Sequence, residues 1–111
     1  LLSKEDEMKK MKVRWLEMAA RFLDGDVAGG LKFFAESSRS KYRMIFSSMP
    51  PEKLSAIFGR ELVDLSLRSL SDYYAEVSLI TRTEVEGKMV FPLKMLRDPN
   101  PDGDWYVLSL M

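Results

Sequence analysis

Residues 73–97 read YYAEVSLITRTEVEGKMVFPLKMLR. In the first part, Ala75, Val77, Leu79 and Thr81 fall on one side of an extended chain and Glu76, Ser78 and Arg82 on the other. A period of two marks a strand with one buried face. Glu84, Val85, Glu86 and Gly87 then make a short Gly-containing connection suited to a hairpin. The alternation resumes with Met89, Phe91, Leu93 and Met95 on one face and Lys88, Pro92 and Lys94 on the other. Pro92 is the irregularity, because proline cannot donate to a ladder; a bulge or bend is expected there.

Working outward, Val63, Leu65 and Leu67 alternate with Asp64, Ser66 and Arg68 in a preceding strand that Ser71-Asp72 closes. Downstream, Asp98-Pro99-Asn100-Pro101-Asp102-Gly103 is a dense turn signal, and Trp105 to Met111 forms a last strand that is apolar on both faces. The spacing of Asp98, Asn100, Asp102 and Asp104 resembles part of a calcium loop. Its glycine is displaced and no glutamate stands at the twelfth position, so a hairpin turn is expected and no metal site. Residues from about 62 to 111 thus read as a four-stranded antiparallel meander.

The first half, about residues 3–60, has helical spacing. Met8, Met11, Trp15, Met18 and Phe22 make one apolar stripe, opened by Ser3 as a cap. Lys9, Lys10, Lys12 and Arg14 read as a solvated flank balanced by Glu5, Asp6, Glu7 and Glu17. Gly25 ends this helix and Asp26 caps a short second one, with Gly29-Gly30 as its weak point. Ser37 or Ser38 is expected to cap a third helix through Ser48, with Tyr42, Ile45, Phe46 and Met49 on its apolar side. Pro50-Pro51 stops it, and Pro51 can open a fourth helix carrying Leu54, Ile57 and Phe58 inward. Helices followed by strands predict one α+β domain over residues 1–111, the helices packed on one face of a curved sheet.

The 111 residues hold 17 Lys+Arg and 17 Asp+Glu, a net charge of zero that argues against a nucleic-acid binder. With no histidine and no cysteine, Ser-His-Asp and Cys-His nucleophiles are impossible within the chain, and so is a disulfide. No apolar run approaches the roughly 20 residues of a membrane span. Carboxylates are the remaining route to acid–base chemistry, but Glu84 and Glu86 straddle a turn and Glu76 lies on a polar strand face. No catalytic residue, metal or cofactor is expected.

The order of elements around FLDGDVAGGLKFFAESSRSKYRMIF (22–46) and the closing DWYVLSLM (104–111) resembles the nuclear transport factor 2-like, or cystatin-like, superfamily, and most of all its small bacterial members. Gly25-Asp26, Phe33-Phe34, Ser37-Ser38-Arg39, Lys41-Tyr42 and Trp105 carry the resemblance, which spans nearly the whole chain. It implies a curved sheet wrapped around the first helix as a cone. It also implies one of three roles: acid–base catalysis by Asp and His inside the cone, binding of small ligands or proteins, or dimerisation through the open sheet face. This chain departs from the enzyme pattern, having no histidine and no inner-face aspartate.

Three expectations follow. The first is a non-catalytic association domain, a homodimer through an open face carrying Tyr74, Ile80, Val90 and Leu96. The alternative is a pocket for a small apolar ligand, with or without weak acid–base chemistry, lined by Trp15, Tyr42, Phe46, Phe91 and Met95, with Tyr42 or Arg43 orienting the ligand. The third, from the Leu1 start, is an exported accessory domain of an envelope protein, its targeting segment trimmed away.

Overall fold

The computed structural model describes residues 3–99 and 103–110. Four helices come first: α1 (Lys4–Leu23), α2 (Val27–Leu31), α3 (Glu36–Ser47) and α4 (Pro51–Phe58). Four strands follow: β1 (Glu61–Leu70), β2 (Tyr74–Thr83), β3 (Gly87–Arg97) and β4 (Trp105–Ser109). They form one antiparallel sheet in the order β1-β2-β3-β4, the expected meander, and the helices pack on it to give an α+β fold.

The Ser3 hydroxyl caps α1 by accepting from the Asp6 amide at 3.4 Å. Met11, Trp15, Met18, Ala19 and Phe22 are buried along one stripe. Phe22 is the hub of the aromatic core, stacked on Phe58 with centroids 4.3 Å apart and in contact with Phe34 and Phe46. Gly25 ends α1 at a φ of 79°, the left-handed region that glycine enters without strain. Asp26 caps α2 through its carboxylate, which accepts from the Gly29 amide at 2.8 Å. Gly30 is a packing requirement rather than a weak point: a Cβ there would lie 2.5 Å from the Phe22 ring.

Neither Ser37 nor Ser38 caps α3, which begins at Glu36 after Ala35 with no side-chain cap. Ser38 is instead buried and donates its hydroxyl to the Leu108 carbonyl at 2.6 Å, tying α3 to β4. Tyr42 and Phe46 face the core, whereas Ile45 lies on the exposed side. α4 opens with Pro51 in its first turn, where a missing N–H costs nothing.

The inner sheet face carries Leu65, Ala75, Val77, Leu79, Leu93, Met95, Trp105 and Val107, all in one core with the helices. β1 shifts register twice on β2, between Leu62 and Asp64 and between Leu67 and Ser69. Such irregularities bend and twist a strand. Pro92 lies elsewhere than expected, in an uninterrupted register opposite Ser78. The Arg97 amide donates to the Tyr73 carbonyl at 2.8 Å, which sets the phase of the ladder. Hydrogen-bonded and non-hydrogen-bonded pairs alternate along an antiparallel pair, so Ser78↔Pro92 is a non-hydrogen-bonded one. The proline nitrogen therefore faces the β4 side, where pairing has already ended at Lys94↔Ser109. No donor is missed, and no bulge is needed.

The far edge of β4 is covered by residues 33–35. Val107 donates to the Phe33 carbonyl at 2.8 Å, and Ala35 donates to the Val107 carbonyl at 2.7 Å.

Candidate functional site

Between α1, α4 and the β2–β3 hairpin lies a cavity of about 260 Å³. Trp15 enters from α1, Ala56 and Ile57 from α4, Leu79 and Thr81 from β2, Phe91 and Pro92 from β3, and Leu110 from the chain after β4. The ninth lining residue is Arg60, in the short link between α4 and β1. Local rules explain the arrangement. α4 presents Leu54 and Phe58 to the core, which leaves Ala56 and Ile57 on the flank that looks across to the hairpin. The inner-face parity of β2 and β3 brings Leu79, Thr81 and Phe91 to the same side.

Arg60 is the chemical feature of this cavity. Its side chain is only 8% exposed. Nε donates to the Thr81 hydroxyl at 2.9 Å, and Nη1 donates to Glu86 Oε1 at 2.9 Å. The guanidinium carbon sits 5.2 Å from the centroid of the Phe91 ring, within cation–π range. Nη2 is buried and has no hydrogen-bond partner among the described residues. Its anionic neighbour, Glu86, stands on the 83–87 turn and is half exposed. That turn is shaped by the Thr83 hydroxyl, which accepts from the Glu86 amide at 3.0 Å, and by Gly87 at a φ of 70°.

Of the residues expected to line a pocket, Trp15 and Phe91 do so. Tyr42, Phe46 and Met95 lie in the core, at 4%, 2% and 0% exposure, and Arg43 is on the exposed side of α3. The Tyr42 hydroxyl accepts from the Leu110 amide at 3.0 Å, which holds in place the backbone of one lining residue. Arg60 escapes a reading by periodicity because it belongs to neither helix nor strand. The available signal is Thr81, a polar residue on an otherwise apolar face, since a buried hydroxyl requires a partner.

A second charged group is buried, on α1. Glu7 reads as part of a solvated flank but is 2% exposed. It opens the buried stripe, four residues before Met11, in place of Met8 at three residues before, which is only half-buried. Glu7 accepts from the Trp105 indole at 3.3 Å and pairs with Lys10 at 3.2 Å and Arg97 at 3.4 Å. Nearby, the Arg14 guanidinium lies between Phe33 and Tyr106, 4.4 and 4.8 Å from their centroids, and donates from Nε to the Trp105 carbonyl at 2.9 Å. Both groups bolt α1 to β4.

The residues expected on an open sheet face share the side of β2 and β3 opposite the core. Tyr74↔Leu96 and Ile80↔Val90 are cross-strand pairs at either end, with Glu76↔Lys94 and Ser78↔Pro92 between them. Val90 is 62% exposed, and Tyr74, Ile80 and Leu96 are half-buried. The Tyr74 hydroxyl donates to Glu76 at 2.7 Å, and that bond raises its pKa above the ordinary tyrosine value.

The 98–104 turn is closed at its base by the Asp98 amide donating to the Asp104 carbonyl at 2.9 Å, while 100–102 lie outside the described residues. Among the described residues, no group of three or more His, Cys, Asp or Glu is placed to hold a metal, and no helix is long and apolar enough to cross a membrane. No protein-family model, curated protein or solved structure matches the chain.

Proposed function

We propose that this chain is a non-catalytic binding domain whose site is the cavity between α1, α4 and the β2–β3 hairpin, and whose ligand is a small, mostly apolar molecule. The observation that carries the proposal is an apolar cavity with a single buried cation in its wall. Small-molecule sites combine an apolar lining with a few polar groups in just this way. At roughly 30 Å³ per water-sized atom, the volume suits a ligand of about nine heavy atoms. Binding rather than catalysis is favoured because, among the described residues, Arg60 is the one lining residue that carries a charge, and a guanidinium keeps its proton and cannot act as an acid or base at ordinary pH. The order of elements, a long helix and three short ones before a meander, supports kinship with the nuclear transport factor 2-like superfamily.

Ala56→Trp tests the site by filling it. Small apolar probes are expected to shift the NMR methyl signals of Leu79 and Ile57 in the native protein and to lose that effect in the variant. Equal shifts in both proteins would place binding elsewhere.

A second reading is self-association through the outer sheet face. Its support is the layout of that face, where an apolar pair lies at each end of a central Glu76↔Lys94 pair. A two-fold copy sets Lys94 against Glu76 and the apolar pairs against one another, as an isologous interface requires. Native mass spectrometry should show a dimer that the double variant Ile80→Glu, Val90→Glu splits. A monomeric native protein, or a variant that stays dimeric, would sink this reading.

A further inference from the structure

Resting on the cavity reading, we infer that the ligand is an organic acid: a carboxylate with a short apolar tail, its head on Arg60 and its tail among Trp15, Ile57, Leu79 and Phe91. The argument is a count of donors. A guanidinium has five N–H groups in a planar fork. Here Nε is satisfied by Thr81 and one Nη1 hydrogen by Glu86, whereas Nη2 is buried with no partner among the described residues. Buried donors are normally satisfied, so an orphan on a residue that lines a cavity points to a guest that carries an acceptor. The fork geometry narrows that guest further. Two parallel N–H bonds suit the two oxygens of a carboxylate, and charge-assisted bonds are the stronger kind.

The surroundings agree with this choice. Phe91 lies beneath the guanidinium and Thr81 fixes Nε, so the fork is oriented before any ligand arrives. The group that a carboxylate would displace from Nη1 is Glu86, which is half exposed on a turn and can return to water at little cost. The net charge beside Arg60 is then the same with ligand bound as with Glu86 bound.

Heptanoate and its neutral isostere heptanamide test the inference, titrated against the full chain by NMR. Heptanoate should bind at least about tenfold tighter, since hydrogen bonds to charged groups exceed neutral ones by roughly that factor. Arg60→Gln should remove the preference. Glu86→Gln, which keeps Arg60, should tighten heptanoate alone by removing its competitor. Ala56→Trp should block both probes. If the two probes bind equally and Ala56→Trp blocks both, the cavity reading stands and the acid inference falls. An unchanged heptanoate affinity in Glu86→Gln would also overturn the proposed exchange on Nη1. If neither probe binds the native protein, both the inference and the reading beneath it fail.

Discussion

Glu7 and Arg60 are both ionised and largely buried, and their surroundings differ. Glu7 is held on several sides, by the Trp105 indole and by the cations Lys10 and Arg97. Arg60 is held on two sides by Thr81 and Glu86 and lines a cavity, and its Nη2 is buried and unmatched among the described residues. Burial of a charge is costly in both places, and pairing offsets the cost only where the pairing is complete. A charge met by three partners within the domain reads as an internal fastening. An unsaturated one, next to empty space, reads as half of a contact.

The contrast can be broken most severely at Glu7. Glu7→Ala removes the acceptor of a buried indole and the counter-charge of Arg97, and should cost about 3 kcal/mol, since breaking a buried pair from one side leaves the other charge uncompensated. Chemical denaturation checks it: a lower midpoint at unchanged slope is expected. Loss of the Thr81 hydroxyl is milder. Thr81→Val deprives Arg60 Nε of its acceptor and should cost about 1–2 kcal/mol, by the same assay. Arg60→Leu removes the cation itself and fills the wall with apolar volume, so stability should stay within about 1 kcal/mol of the native protein. A large loss there would mean that Arg60 is a fastening like Glu7, and the contrast would collapse.

The smallest effect belongs to an exposed pair. Asp64 accepts from Lys12, which holds its pKa below the ordinary carboxylate value, and the Leu65 amide adds to the shift. A carboxylate whose folded pKa is depressed contributes stability above its unfolded pKa and loses it as pH falls through the folded one. Asp64→Asn should therefore differ slightly from the native protein near neutral pH, and the gap should close in acid. A gap that persists after the carboxylate is protonated would contradict the assignment.

Much of this architecture was legible in the residues. Period two in β2 and β3, the stripe of α1, the Asp26 cap and the turn glycines act over a few residues, and local rules govern them; in β1 the two register shifts bring Leu62, Leu65, Leu67 and Leu70 to the core and leave out Val63. What escaped was decided at long range. Glu7 and Trp105 are 98 positions apart, and Arg60 meets Thr81 and Glu86 across 21 and 26 positions. No spacing announces such pairs. The cavity was legible in part. Trp15 and Phe91 line it, but its cation came from a two-residue link that no periodicity covers. Pro92 invited an inference of a bulge because its neighbours suggested an interior strand. The shortness of β4, visible only once the strands are paired, is what makes the straight register tolerable.

That short last strand has a consequence for how the molecule behaves among its own copies. From Gly87 to Leu93, β3 has no β4 partner among the described residues, the kind of bare edge on which a foreign strand can template and fibrils can start. Residues 33–35 guard the far side of β4 but do not reach this stretch. Pro92 does: its nitrogen faces the bare side and offers no donor, so an incoming strand meets a gap at the end of the run nearest β4. The residue that looked like a flaw in the strand thus takes one donor away from its bare edge.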